Sequence, residues 1–147
     1  MGLHRGHSRM PPHTDDLLSQ HDEGLFTKGG CHVFAVCLAE TFGYPLRLLR
    51  DRSVPEPGGI VHVYCLPAPD VMMDFNGRAN ERGYRRDNCY DFPPYRAETV
   101  TRRRIQELSV PKFGGGGLYA EAHFLEIARG RAFAAITARR SKYEYEP

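Results

Sequence analysis

The sequence has no tryptophan, no long apolar run and little net charge. No stretch of about 18 apolar residues occurs, which excludes a transmembrane helix and predicts no membrane partner. The net charge of +2 over 147 residues is too small to indicate a nucleic-acid partner by itself, and the tyrosines form no stacking motif. Walker, Rossmann and serine nucleophile-elbow motifs are absent, so we expect no cofactor.

The N-terminal segment lacks the features of a targeting sequence. The first residues, MGLHRGHSRMPPHTDD, contain no apolar stretch of about 7–15 residues, which a secretory signal would need. The serine or threonine that myristoylation favours near the sixth position is replaced by Gly6 and His7. We therefore expect a cytoplasmic protein, with export by a signal-free route as the alternative. Its four cysteines do not require disulfides, because the chain is long enough to bury a core, and we expect thiols.

The length and composition are typical of one soluble globular domain. Apolar residues make up 41% of the chain and charged residues 26%, and single domains commonly have about 100–150 residues. Residues 1–22 are polar and without periodicity, so we expect a flexible N-terminal arm. Residues 23–141 are expected to form a single α+β domain and residues 142–147 a tail. Residues 112–117, KFGGGG, are typical of a flexible linker.

The hydrophobic pattern predicts one strong helix and a set of strands. The segment 31–42, CHVFAVCLAETF, has apolar residues at spacings of three and four, and Gly43 follows it as a helix stop. β-Branched and aromatic residues predict strands over 46–50, 60–66 and 70–75, the last two forming an antiparallel hairpin joined by Pro67-Ala68-Pro69. No element is predicted for 78–94. We expect a strand and a short helix over 97–108, and over 118–140 a long helix weakened by Gly130.

Three residues suited to thiol chemistry occur in the order cysteine, histidine, aspartate. Cys31 stands in the first helical turn, where the helix dipole and the unpaired N–H groups favour the thiolate, which is the reactive form. His62 and Asp74 lie on the two strands of the hairpin, and a three-residue loop would set them directly opposite each other. Their Cβ atoms would then be about 4.5–5.5 Å apart. The carboxylate could hold one imidazole nitrogen and leave the other for the thiol.

This arrangement resembles the papain-like and transglutaminase-like superfamily of thiol enzymes, including the bacterial NlpC/P60 type. The stretches that carry the resemblance are GGCHVFAVCLAETFGYPL, VHVYCL and MMDFNG, within residues 26–77. The resemblance implies an α+β fold with a papain-like core, in which the catalytic helix packs on an antiparallel sheet, plus a C-terminal helix. It also implies Cys31 as the nucleophile, His62 as general base and acid, and Asp74 as the carboxylate that orients the histidine.

The resemblance also implies an oxyanion hole, formed by the Cys31 backbone N–H and a second donor. Papain-type enzymes place a glutamine several residues before the cysteine, whereas this chain has GLFTKGG over residues 24–30. The expected substitute is Thr27 or a backbone N–H. Gly29 and Gly30 are expected to leave space for the substrate beside the sulfur.

The expected function is that of a papain-like cysteine hydrolase or acyl/amide transferase, which acts on a protein or peptide substrate through a covalent acyl-enzyme. Peptidase, amidase and glutamine deamidase reactions share this chemistry up to the acyl-enzyme. A small thiol enzyme with an irregular arm would also suit a toxin-like effector, by analogy alone. Nothing in the sequence specifies an oligomeric state.

A different class of function is a non-catalytic module that binds protein or nucleic acid, as in toxin, defence or phage-related systems. In that hypothesis Cys31 is simply packed in the core, and the contacts come from the C-terminal helix and from arginine clusters, namely Arg82, Arg85, Arg86 and Arg102-Arg103-Arg104. Because acidic residues are interspersed among these arginines, the clusters are weak support for a nucleic-acid partner.

A metal site is the third interpretation. The available ligand types do not have the paired spacing of structural zinc sites, so we expect no metal; they are Cys31, His32, His62, Cys65 and Asp74. His32 follows Cys31 directly and should point about 100° away around the helix, which favours a structural role. Cys37 and Cys65 are expected in the core, and Cys89 in a polar loop.

Overall fold

The computed structural model describes residues 12–111 and 117–147 and shows a mixed α+β protein. The helices are α1 (Pro12–Leu18), α2 (Asp22–Thr27), α3 (Cys31–Phe42), α4 (Glu81–Asp87), α5 (Arg102–Glu107), α6 (Ala122–Ala138) and α7 (Arg140–Tyr143). The strands are β1 (Leu46–Asp51), β2 (Ile60–Ala68), β3 (Val71–Asp74), β4 (Gly77–Asn80), β5 (Tyr95–Val100), β6 (Ser109–Val110) and β7 (Leu118–Tyr119). Across these two ranges, no helix is both long and apolar enough to cross a lipid bilayer.

Five strands form one antiparallel sheet in the order β4-β3-β2-β1-β5. Strand β1 lies inside the sheet, where Leu48 pairs with Val63 of β2 on one side and with Glu98 of β5 on the other. Strands β6 and β7 form a separate parallel pair. The prediction of an α+β fold with an antiparallel sheet and accompanying helices is confirmed at this level.

Helix α3 is the centre of the core, packed against β2 on one side and α6 on another. Its residues Phe34 and Leu38 are buried, as the apolar spacing predicts. The helix ends where predicted because Gly43 adopts a left-handed conformation, with φ of 76°. In that conformation its N–H bonds to the carbonyl of Ala39, closing the last turn.

The N-terminal segment differs from the flexible arm expected over residues 1–22. Residues 12–18 form α1, and Leu17 is buried. The guanidinium of Arg131 on α6 donates hydrogen bonds to the carbonyls of Leu18 (3.0 Å) and Gln20 (2.7 Å) and to Asp22 (2.9 Å). This docking depends on a residue more than a hundred positions away, which local periodicity cannot reveal. The remainder of the expected arm, residues 1–11, lies outside the described residues.

The C-terminal segment is packed against the body, where a frayed tail was expected over residues 142–147. The ring of Tyr143 is buried and its hydroxyl donates to the carbonyl of Phe75 at 2.7 Å. The N–H of Tyr145 donates to the hydroxyl of Tyr44 at 2.6 Å. These contacts join the chain end to the segments that follow β3 and α3.

Two further expectations about loops and helices change. The long helix predicted over 118–140 begins only at Ala122, because residues 118–119 pair as β7 and Glu121 caps the helix by accepting from the N–H of His123. The segment 78–94, for which no element was expected, contains β4 and α4. Most of the expected glycine linker, residues 112–116, lies outside the described residues.

A side chain at Gly30, which precedes α3, would be crowded by Leu25. A Cβ atom there would lie 3.0 Å from the carbonyl oxygen of Leu25 and 3.3 Å from its side chain. We expect Gly30→Ala to lower the free energy of unfolding by about 1–3 kcal/mol, as overpacking does, measured by urea denaturation. The matched control is Gly130→Ala in α6, where a Cβ would meet nothing within 4 Å. That variant should gain about 0.5–1 kcal/mol, and equal effects at both positions would contradict this account.

Candidate active site

Cys31 is the first residue of α3, and the local backbone leaves donors beside its sulfur. The N–H groups of Val33 and Phe34 both bond to the carbonyl of Gly30. The N–H groups of Cys31 and His32 precede them in the first turn and have no acceptor inside the helix. Gly30 caps the helix without a side chain, so nothing from the cap covers these donors. The side chain of Cys31 therefore sits at the positive end of a twelve-residue helix.

His62 and Asp74 are joined by a direct hydrogen bond, with His62 Nε2–H donating to Asp74 Oδ2 at 2.9 Å. The other carboxylate oxygen of Asp74 accepts from the N–H of Asn76 at 2.9 Å, which fixes the carboxylate between two donors. Because Nε2 is engaged, the second ring nitrogen of His62, Nδ1, is the one left for a thiol. His62 is 8% exposed, so this pair is largely shielded from water.

The strand register that brings the pair together differs from the one expected. The turn of the hairpin has two residues, because Ala68 pairs with Val71, and Asp70 adopts a left-handed φ of 62°. Further along, Cys65 pairs with Met73 after an irregularity in the ladder. Continued by one residue, this register sets Asp74 beside Tyr64 and not opposite His62. Residues two apart on a strand share one face, so the carboxylate still reaches the imidazole.

Cys31 lies against two histidines, His32 and His62, and its acidity follows from them. Burial raises the pKa of the Cys31 thiol, but hydrogen bonds from the side chains of His32 and His62 and the positive charge of His62 outweigh burial and lower that pKa to about 5. An ordinary cysteine has a pKa of about 8.5. These surroundings favour the thiolate form of Cys31 at neutral pH.

His62 is shifted in the opposite direction. Burial lowers the pKa of His62, whereas the hydrogen bond to Asp74 and the contact with Cys31 raise it to about 10. Between about pH 5 and about pH 10, then, the favoured state is a thiolate beside an imidazolium. Since the two groups titrate as a coupled pair, these values belong to the pair.

The other three cysteines have no such surroundings. Burial raises the pKa of Cys37 to about 12, and burial together with the charge of Asp74 raises the pKa of Cys65 to about 12. Both are buried thiols in the core, as expected, and the thiol of Cys65 donates to the carbonyl of Ala35. Cys89 is exposed in the segment after α4. Among the four thiols, only Cys31 combines a histidine contact with a helix N-terminus.

Two tyrosines that the sequence analysis did not single out form walls around His62. The ring of Tyr64 stacks on the imidazole with centroids 5.3 Å apart and planes at 27°, and the ring of Tyr84 lies 5.7 Å away at 36°. The hydroxyl of the buried Tyr64 donates to Glu81, which also accepts from Arg47 at 2.7 Å. Tyr64 follows His62 by two residues on the same strand, and this spacing is the sequence feature that could have predicted the contact.

His32 has a larger role than its position after Cys31 suggests. It is 4% exposed, and its Nε2–H donates to the carbonyl of Tyr119 in β7 at 2.7 Å. This bond holds the ring between the start of α3 and the C-terminal part of the chain. The expected structural role is therefore accompanied by an effect on Cys31, because His32 is one of the two histidines that lower the pKa of its thiol.

Of the two expected substitutes for the second oxyanion donor, Thr27 or a backbone N–H, the hydroxyl of Thr27 is engaged within α2. Thr27 ends α2 with its side chain exposed, and its hydroxyl donates to the carbonyl of Glu23 at 2.6 Å. The N–H of Gly30 is bonded to the carbonyl of Leu25 at 2.7 Å. Gly29 lies half-buried in the turn before it. The backbone N–H groups of Cys31 and His32, which have no acceptor inside the helix, are the donors that remain in the first turn of α3.

No group of three or more histidine, cysteine, aspartate or glutamate residues in the described part of the chain is arranged to hold a metal ion.

Compared with protein-family models, with curated proteins and with solved structures, the chain matches none. The geometry of Cys31, His62 and Asp74 is therefore the basis for assigning a function.

Proposed function

We propose that the protein is a papain-like cysteine hydrolase or acyl/amide transferase of the cytoplasm, with Cys31 as nucleophile, His62 as acid and base, and Asp74 as the orienting carboxylate. The observation that supports the proposal is the combination of a cysteine at a helix start, an imidazole that lowers the pKa of its thiol, and a carboxylate 2.9 Å from that imidazole. Such a nucleophile, base and orienting group define thiol enzymes generally.

The first half of the reaction follows from the charges at rest. The Cys31 thiolate attacks the carbonyl carbon of an amide or thioester, forming the sulfur–carbon bond while the carbonyl electron pair moves to oxygen. The backbone N–H groups of Cys31 and His32 stabilise that oxyanion. When the tetrahedral intermediate collapses, the bond to the leaving group breaks and His62 Nδ1–H gives that group its proton. The products are the acyl-enzyme and an amine or thiol.

The second half regenerates the enzyme. Neutral His62 takes a proton from a water molecule or an amine as this attacks the acyl carbon, and the sulfur leaves as the thiolate. Water gives hydrolysis, which is peptidase, amidase or deamidase activity according to the substrate, and an amine gives transfer. Asp74 keeps the imidazole in one orientation throughout and stabilises its protonated form.

The acyl-enzyme itself is the most direct test of this proposal. A Cys89→Ala background removes the exposed thiol, and p-nitrophenyl acetate then serves as a small acyl donor. We expect a burst of p-nitrophenolate and an added acetyl group on Cys31, located by digestion and mass spectrometry. Addition of water alone or of glycinamide to the isolated adduct separates hydrolysis from transfer.

Cys31→Ala in the same background is the matched control and should show neither burst nor adduct. Acetylation spread over surface lysines, with Cys31 unmodified, would contradict the proposal. That result would favour the alternative in which the chain is a non-catalytic binding module. The arginines invoked for such a module are partly paired within the chain, as in the bonds from Arg102 to Glu40 (3.1 Å) and from Arg104 to Glu107 (3.2 Å).

A further inference from the structure

A cavity of about 350 Å³ is lined by residues of α3, α5 and α6, among them His32. None of Cys31, His62 and Asp74 lines it, but His32 does, so the cavity adjoins the candidate active site without including its three central residues. Its volume is within the range of about 300–1,000 Å³ that small-molecule sites have. It is therefore large enough for an organic ligand, and too large to be a packing defect in the core.

The lining of the cavity is apolar inside and positively charged outside. The aliphatic side chains of Val33, Val36, Ile105 and Leu125 form the apolar part of the wall, and Gln106 and Ser109 add polar groups. Arg102 and Arg129 also line it, and their side chains are 59% and 40% exposed. Because both arginines reach solvent, they lie where the cavity opens, and the buried His32 lies at its inner end.

The charges at the opening do not balance. Both arginines pair with the same carboxylate, that of Glu40, which accepts from Arg129 at 2.9 and 3.2 Å and from Arg102 at 3.1 Å. One negative charge therefore faces two positive charges. A guanidinium binds a carboxylate with two parallel hydrogen bonds, and Arg102, the more exposed of the two, is placed to do so for a ligand.

From this combination we infer that the cavity binds a small ligand with an aliphatic body and a terminal carboxylate. The aliphatic part removes Val33, Val36, Ile105 and Leu125 from water, and the carboxylate supplies the negative charge that the opening lacks. A neutral ligand of the same shape would gain only the first of these contributions, so the charge provides the specificity.

Octanoate and octanamide are the probes, since they have the same aliphatic chain and differ in charge. The protein carries Cys31→Ala, so that no covalent chemistry interferes and the outcome is independent of the proposed function. We expect octanoate to bind with shifts of the backbone amide resonances of His32, Val36 and Leu125 in a heteronuclear NMR titration. Octanamide should bind at least about threefold more weakly.

Two kinds of variant test separately how the positive charge and the space in the cavity contribute to binding. Arg102→Gln should weaken octanoate about three- to fivefold and leave octanamide unchanged, whereas its neighbour Arg103→Gln, which does not line the cavity, should change neither. Val36→Phe should fill the space and weaken both probes, with a retained amide spectrum showing that the fold persists. Equal affinity for the two probes, shifts confined to other parts of the chain, or no effect of Arg102→Gln on octanoate would each overturn the inference.

Discussion

Replacement of His62 by alanine should reduce acyl transfer by about 10³-fold or more. General acid and base catalysis alone contributes about 10²–10⁴-fold, and His62 also lowers the pKa of the Cys31 thiol. The measurement is the rate of p-nitrophenolate release in the Cys89→Ala background. The matched control is His123→Ala, which removes an exposed histidine in the first turn of α6 and should leave the rate unchanged.

In His62→Ala, the rate at which Cys31 is alkylated distinguishes a raised pKa of the Cys31 thiol from a damaged structure. If the thiol pKa returns from about 5 to an ordinary value of about 8.5, the thiolate fraction at about pH 6 falls roughly 300-fold. Because a thiolate of higher pKa is a stronger nucleophile, the net fall in rate is about tenfold. At about pH 9 the variant should react with iodoacetamide at least as fast as the parent. A loss that persists at about pH 9 would indicate a damaged structure.

Replacement of Asp74 by alanine should move the alkaline limit of activity to lower pH. The hydrogen bond that His62 donates to Asp74 is the strongest interaction that raises the pKa of His62, to about 10. Activity requires protonated His62 and is lost as pH rises through that pKa. Without the carboxylate the pKa of His62 falls, and removal of an adjacent opposite charge shifts a pKa by about 1–3 units. The alkaline limb of kcat/KM should shift by that amount, with a loss of about 10²-fold at its maximum.

Asp74→Asn is the informative intermediate, because its amide oxygen can still accept from His62 Nε2–H while the charge is gone. It should retain more activity than Asp74→Ala and show a smaller shift. Asp87→Asn, at an exposed carboxylate on α4, is the control and should leave the profile in place. An alkaline limb that stays at the same pH in Asp74→Ala would show that Asp74 does not support the imidazolium.

The sequence predicted α3 and the hairpin because both are specified locally. The apolar spacing and Gly43 define both ends of α3, and the β-branched run of β2 with its turn defines the hairpin. The register was predicted wrongly, because the turn has two residues and the ladder contains an irregularity. The pairing of His62 with Asp74 nevertheless occurs, because a shift of two residues keeps both side chains on the same face.

The parts that could not be predicted depend on contacts between distant segments. Helix α1 is held by Arg131, and the C-terminal segment is held by Tyr44 and Phe75. The pattern of residues within each segment therefore does not predict that it packs against the body. Tyr84 reaches His62 from α4, a short helix without apolar periodicity. The available signal for α4 was Asn80, whose side chain accepts from the N–H of Gly83 as an N-cap.

The central claim is that Cys31 rests as a thiolate, and the pH dependence of its alkylation measures this directly. In the Cys89→Ala protein, the rate of iodoacetamide modification of Cys31 should be half of its plateau value at about pH 5, while Cys37 and Cys65 stay unmodified. A half-maximal rate at about pH 8.5, the value of an ordinary thiol, would contradict the account and leave Cys31 as a packed residue of the core.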